Sequence, residues 1–162
     1  MKTNTLVIMA LIASIGLLST TIPHAHAVDV TSTATILPLC GFEILSVPPT
    51  ITYGSLPPYT ESSDQPLRIN NPGNVQTNVL VRGTDWSSGP TNPNVMLVSA
   101  THYSLTSGQS YGSKTALTGS DTQLTTLTAL QQKDTLWQLR TTLNDINFVG
   151  PATQVVTLTG QC

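Results

Sequence analysis

The chain has 162 residues, which predicts one ordinary domain rather than a multidomain protein. Charged residues make up only 9% of it and the formal net charge is −2, which argues against nucleic-acid binding, since that function requires clustered Lys and Arg. The same scarcity of charge argues against a charged disordered tail. The composition therefore indicates a folded domain, and it reveals no reaction.

The first 27 residues have the pattern of a secretory signal peptide. Lys2 provides the positive start, an uncharged apolar run extends from Leu6 to Leu18, and Ala25-His26-Ala27 is a small-x-small cleavage site. The alternative, an uncleaved anchor helix, is less favoured because the run is short for a membrane span. We therefore expect a protein that is secreted or at the cell surface, divided into a signal peptide (1–27), an N-terminal strand (28–39) and a β-sandwich domain (40–162).

Residues 28–37 alternate with period two, which predicts a strand that Pro38 ends. Its apolar face includes Val28, Val30, Ala34 and Ile36. Shorter strands are predicted at 42–47 and 50–56. Asn71-Pro72-Gly73-Asn74 fits a type II turn, in which Gly accepts a positive φ, and it predicts a hairpin of residues 66–71 against 74–83.

Further strands are predicted at 95–105, 114–117, 135–143 and 154–162. Residues 123–130 are ambiguous, because leucines at every third position favour a helical turn whereas the Thr content favours a strand, which is slightly preferred. Without a convincing helix, the class is all-β, most simply an immunoglobulin-like Greek-key β-sandwich of about eight strands. Trp86 and Trp137 are interpreted as core anchors rather than as ligand-stacking rings.

Two cysteines, Cys40 and Cys162, remain after the predicted cleavage. In an oxidising compartment one disulfide between them is the default, and two free thiols are the alternative. The closed loop would span nearly the whole domain. The predicted N-terminal strand would lie outside that loop, so it could leave its own sheet without disturbing the disulfide-closed domain.

No catalytic set is recognisable in the predicted mature chain, so we expect no enzyme, no metal and no cofactor. His102 is its only histidine, which is too few for a type 1 copper site or for a Ser-His-Asp triad. An intramolecular amide cross-link needs a Lys, an Asn or Asp, and an acid side by side in the core. Lys114 and Lys133 both lie near predicted loops, so the sequence leaves that cross-link open without supporting it.

Two segments carry a resemblance to a known group of proteins: ITYGSLPPYTESSDQPLRINNPGN at 51–74 and VLVRGTDW at 79–86. They resemble secreted archaeal β-sandwich surface proteins and, more distantly, TasA-type matrix fibre proteins and archaeal bundling pilins. The shared pattern is strand, loop, strand, turn, strand, so the resemblance implies fold more than function. In the fibre-forming members, an N-terminal strand of one subunit completes the sandwich of the next.

Two functions are therefore carried forward. The first is a non-catalytic structural protein of the cell surface or extracellular matrix, with the chain itself as partner in a head-to-tail homopolymer built by exchange of strand 28–37. That strand could instead pair within its own domain. The second is a secreted glycan-binding or adhesive module, in which tyrosines stack on surface glycans; the candidates are Tyr53, Tyr59, Tyr103 and Tyr111. We expect neither a nucleic-acid partner nor a membrane anchor in the mature chain.

Overall fold

A computed structural model describes residues 34–90, 95–142 and 150–162. The predicted signal peptide lies outside the described residues, and so do Val28 and Val30 of the predicted N-terminal strand. Within the described ranges, no helix has the length and apolar character needed to cross a bilayer.

The described domain is built from antiparallel strands in two sheets, which confirms the all-β prediction. The strands are β1 (Glu43–Ile44), β2 (Gln65–Asn70), β3 (Thr77–Gly83), β4 (Thr101–Ser104), β5 (Thr115–Ala116), β6 (Thr122–Leu127), β7 (Gln132–Leu139) and β8 (Val156–Gln161). One sheet has five strands in the order β1-β2-β7-β4-β5, and the other has three in the order β6-β3-β8. The described helical content is limited to 3₁₀ turns at Val98–Ala100 and Tyr111–Ser113.

The core lies between the two sheets, so the arrangement is sandwich-like. The five-stranded sheet contributes Trp137 and Ile69, both fully buried, and the three-stranded sheet contributes Val79, Val81 and Leu127, which are also fully buried. These residues occupy alternate positions of their strands, as the period-two side-chain rule requires. Each such side chain contributes about 1.5–3 kcal/mol by leaving water.

Both tryptophans are buried, in two different clusters. Trp137 is in the main cluster, where its indole Nε1 donates a hydrogen bond to Thr135 Oγ1 at 2.7 Å. Trp86, which is 7% exposed, belongs to a second cluster with Ala100 and Leu139. Its Nε1 donates to Thr101 Oγ1 at 3.1 Å, so each ring buries its polar atom with a partner.

The predicted hairpin of residues 66–71 against 74–83 is wrong. β2 pairs with β1 and β7, whereas β3 pairs with β6 and β8 in the other sheet, so residues 71–76 carry the chain from one sheet to the other. Gly73 does not adopt a positive φ, so the type II turn is also wrong. Glycine is needed there for space, because a Cβ at Gly73 would lie 2.1 Å from the carbonyl oxygen of Leu39.

Several predicted strands differ in extent from those observed. The described end of the predicted N-terminal strand, including Ala34 and Ile36, has no strand assignment and is exposed, so those two residues do not form a strand within this chain. Residues 50–56 also form no strand. The strand preference at 123–130 is confirmed by β6, which ends at Leu127 before a turn in which Leu130 adopts a φ of 57°.

Candidate functional site

Within the described residues, the outer edge of β8 is an open sheet edge, as is that of β6 at the other side of the same sheet. β8 pairs with β3 along one side, and no described strand pairs with its other side. Its Val156 and Leu158 are only half-buried although both pack against the core, and the preceding Val155 is 63% exposed. An edge of this kind offers unpaired backbone N–H and C=O groups beside apolar surface, which is the arrangement that accepts an additional strand.

The predicted disulfide between Cys40 and Cys162 closes the molecule beside this edge. The two Cα atoms are 5.9 Å apart and the residues are separated by 122 positions in sequence. Cys162 follows the last residue of β8, and Cys40 precedes β1, so the bond joins the two sheets. Phe42 packs on Gly160 of β8 so closely that a Cβ on that glycine would lie 2.5 Å from Phe42 Cβ.

The chain just before the disulfide is held by Asn74. The side chain of Asn74 accepts a hydrogen bond from Leu39 N at 2.6 Å and donates one to Leu37 O at 2.9 Å, while its backbone N–H donates to Leu39 O at 3.0 Å. Leu37 and Leu39 remain 74% and 61% exposed. Residues 37–39, where the N-terminal segment joins the domain, are therefore held by hydrogen bonds, while the side chains of Leu37 and Leu39 are exposed to solvent.

Residues 71–76, which connect the two sheets and include Asn74, are held together by hydrogen bonds of the fully buried Asn71. Asn71 Nδ2 donates to Val75 O at 2.7 Å and to Thr128 O at 3.0 Å, and its Oδ1 accepts from Gly73 N at 2.9 Å. Each polar atom of this buried amide is thus bonded, which is what burial of such a group requires. Sequence reasoning predicted a hairpin turn here, which is wrong, and missed the role of this segment as a support for residues 37–39.

An apolar cleft of about 800 Å³ lies elsewhere on the domain, between the segment 51–58 and the residues that precede β8. Its lining includes Tyr53, Leu56, Trp86, Met96 and Ala152. The Tyr53 and Trp86 rings are tilted by 60° with centroids 5.8 Å apart, and burial raises the pKa of the Tyr53 phenol well above its ordinary value.

The four tyrosines considered for sugar stacking have different environments. Tyr103 and Tyr111 are 5% and 8% exposed, so neither offers a ring face to a sugar. Tyr53 is half-buried at the cleft, and Tyr59 is 52% exposed in a turn where its φ is 61°. Only the last two tyrosines remain available to a ligand.

A polar cluster covers part of the outer face of the five-stranded sheet. His102 stacks on Tyr111 with ring centroids 3.9 Å apart, and its Nδ1 lies 2.9 Å from Tyr111 O. The Arg140 guanidinium lies 5.8 Å from the Tyr111 centroid and 3.8 Å from Glu61 Oε1. The pKa of the Tyr111 phenol is raised, mainly by burial. His102 is therefore part of a packed surface network.

A buried ion pair between Lys114 and Asp64 extends the same face. The Lys114 side chain is 0% exposed and that of Asp64 is 28% exposed. The sequence placed Lys114 near a loop and gave no indication of its partner, which is 50 positions away. Among the described residues, no group of three or more His, Cys, Asp or Glu side chains is arranged to hold a metal ion.

Comparison with protein families, with curated proteins and with solved structures finds no match for this chain. The resemblance to TasA-type fibre proteins and archaeal bundling pilins therefore stays a prediction. Function has to be inferred from the open edge, the disulfide and the anchored segment beside them.

Proposed function

We propose that this protein is a secreted, non-catalytic structural protein of the cell surface or extracellular matrix, and that it assembles into a fibre by strand exchange. Residues 1–27 are removed as a signal peptide, and the remaining chain folds as an immunoglobulin-like Greek-key sandwich. Residues 28–37 of one copy then pair with the outer edge of β8 in the next copy. The observation that carries the proposal is the open β8 edge.

The dimensions of donor and acceptor agree. A strand rises about 3.3 Å per residue, so residues 28–37 would extend about 33 Å and cover the whole of β8, whose six residues span about 20 Å. The apolar face of the donor, formed by Val28, Val30, Ala34 and Ile36, would cover the half-buried Val156 and Leu158. The added ladder contributes about 0.5–1.5 kcal/mol per hydrogen bond, and the buried side chains add to it.

Strand direction favours exchange over pairing within one chain. Residues 28–37 precede Cys40 in the chain and β8 ends just before Cys162, so pairing of the two segments within one chain would be parallel. Every strand pair described in the domain is antiparallel. A donor from a second copy can approach in the antiparallel direction, which is slightly more stable per residue. Because donor and acceptor are different surfaces, the contact is head-to-tail, and it gives a filament when the rotation between successive copies does not close a ring.

The test is polymerisation of the purified mature protein, followed by negative-stain electron microscopy and size-exclusion chromatography. Wild type should form filaments, and deletion of residues 28–37 should leave folded monomers. Val30→Asp should block assembly because it places a charge on the apolar face, whereas Thr31→Asp, on the opposite face, is the matched control and should still assemble. A wild type that stays monomeric whether or not residues 28–37 are present would refute the proposal.

Binding of a surface glycan is the second candidate function, favoured by the apolar cleft with the Tyr53 ring at its border. Tyrosine rings stack on the apolar faces of sugars, and the exposed Tyr59 lies on the segment that follows the cleft wall. A glycan array with wild type and Tyr53→Ala tests this function. A blank array for wild type, or signals that Tyr53→Ala leaves unchanged, would remove the cleft from consideration.

A further inference from the structure

Lys114 is the most completely enclosed charged side chain among the described residues. Its side chain is 0% exposed, and its described partner is the Asp64 carboxylate. Lysine is rarely enclosed to this extent, because removing an ammonium from water costs several kcal/mol even when it is paired. A neutral product of the same two groups would carry no such penalty.

Strand register shows how the two residues meet. Gln65 pairs with Trp137 at the start of β2, so Asp64 lies one step further, beside Gln138 of β7. Gln138 pairs with His102 of β4, and His102 pairs with Ala116 of β5, which Lys114 precedes by two residues. Tyr111, in the 3₁₀ turn just before Lys114, stacks on His102, so the loop that carries Lys114 folds over the outer face of the sheet and places the Lys114 side chain beside the chain that leads into β2.

The row of residues between them is half-buried. Gln138 Nε2 donates to Ser62 O at 2.8 Å, but Gln138 Oε1 is buried and has no hydrogen-bond partner in the described part of the chain. The stacked pair of His102 and Tyr111 lies on the same face. A buried acceptor without a partner is uncommon, and an amide N–H in this row would be a donor for it.

We propose that Lys114 and Asp64 are joined by an intramolecular amide bond. One proton passes from the ammonium to the carboxylate, which leaves a neutral amine and a carboxylic acid. The Lys114 nitrogen attacks the Asp64 carboxyl carbon, a C–N bond forms, and a C–O bond breaks. The hydroxyl leaves as water with a second proton from the nitrogen, so no oxidant, reductant or further reactant is needed.

The lysine and the aspartate that such a cross-link needs are in contact, and their described polar neighbour in the sheet is the Gln138 amide rather than a second acid. Holding the two groups in contact replaces a bimolecular encounter with an intramolecular one, which lowers the barrier substantially. The side chain of Asp64 is 28% exposed, which gives the released water a way out. The amide retains one N–H, and Gln138 Oε1 supplies an acceptor in the same row.

Intact mass spectrometry of the wild-type protein, reduced and denatured, tests the proposal directly. The expected mass is lower than that of the mature sequence by one water molecule. Proteolysis should release a branched peptide in which Lys114 is joined to Asp64, identified by fragmentation. An unshifted mass would overturn the cross-link, and so would a water loss confined to a cyclic imide at Asp64.

Substitutions locate the bond. Lys114→Met and Asp64→Ala should each restore the full mass of the variant sequence. Lys133→Met is the matched control, because Lys133 Nζ donates to Thr125 Oγ1 at 2.8 Å and is only half-buried; this variant should keep the water loss. The mass of the wild-type protein alone shows whether water has been lost, so the proposal stays testable even if a variant fails to fold. A water loss that persists in Lys114→Met would overturn it.

Discussion

The two sheets differ in how completely their strands are enclosed. In the five-stranded sheet, β2, β7 and β4 each have neighbours on both sides, and Trp137 and Ile69 are 0% exposed. In the three-stranded sheet only β3 has two neighbours, and the core-facing Val156 and Leu158 of β8 stay half-buried. The difference indicates that β8 is the least enclosed strand of the three-stranded sheet, and in the proposed fibre it is the strand that a further strand completes.

Among the changes considered, loss of the disulfide should have the largest effect on the free energy of unfolding. Cys40 and Cys162 are 122 residues apart, so the chain-entropy model assigns the bond about 4–5 kcal/mol of the free energy of unfolding. Urea denaturation of wild type with and without reductant measures the loss. Hydrogen exchange should also rise more at β8 amides than at β7 amides. Equal acceleration in both sheets would break the proposed difference between them.

Truncation of Trp137 should be nearly as costly. Trp137→Ala removes a fully buried ring from the centre of the five-stranded sheet and leaves Thr135 Oγ1 without the donor at 2.7 Å, so we expect a loss of about 3–5 kcal/mol. Urea denaturation measures it. Leu130→Ala, at a position 75% exposed, is the control and should change stability by less than about 0.5 kcal/mol.

Truncation of Leu158 probes the other sheet. Because Leu158 is half-buried at the open edge, Leu158→Ala should cost the monomer about 1–2 kcal/mol, less than the range for a fully enclosed leucine. The same substitution should weaken assembly of the mature protein, measured as a higher concentration needed for filaments. A monomer loss as large as that of Trp137→Ala would show that β8 is already enclosed.

The smallest expected effect comes from a surface ion pair on the five-stranded sheet. Hydrogen bonds from the Arg68 guanidinium, at 2.7 and 2.9 Å, hold the pKa of Asp134 below its ordinary value. The folded pKa is thus below the unfolded value of about 3.9, so the stabilisation is present above that pH and is lost as the pH falls through the folded pKa. Both side chains are about half exposed, which keeps the effect small.

The measurement is the melting temperature at neutral and at acid pH. Asp134→Asn should lower the neutral melting temperature slightly and reduce its fall on acidification. Asp121→Asn is the matched control on the three-stranded sheet, where the carboxylate lies 3.8 Å from Arg82 without a described hydrogen bond, and it should have a smaller effect. An acid dependence that Asp134→Asn leaves unchanged would contradict the role of this pair.

The strands that sequence could predict are those with an uninterrupted period of two. β7 and β8 overlap the predicted segments because alternation by itself identifies a half-buried strand, whereas the segment of β6 was ambiguous. The hairpin prediction failed because a strand, a Pro-Gly turn and a second strand have the same local pattern whether they lie in one sheet or cross between two. The pairing that distinguishes these cases depends on β7 and β8, far along the chain.

The candidate site was predictable only in part. The disulfide followed from two cysteines in a predicted secreted chain, whereas the donor role of residues 28–37 came from the resemblance and stays a proposal. The open edge of β8 depends on the order of strands in the sheet, which no local pattern encodes. The contact of Lys114 with Asp64 depends on the register of β2, β7, β4 and β5, so a lysine beside a loop gave no indication that its side chain is enclosed.

The position of the disulfide also determines how tension would travel along a fibre. In the proposed filament, a pull arriving through the strand bound at β8 reaches Cys162, crosses the sulfur bridge to Cys40 and leaves through the amino-terminal segment held by Asn74. Residues between the two cysteines, apart from β8, are bypassed by this route. Stretching such a fibre would load the contacts between subunits, while the rest of each folded domain would carry little of the force.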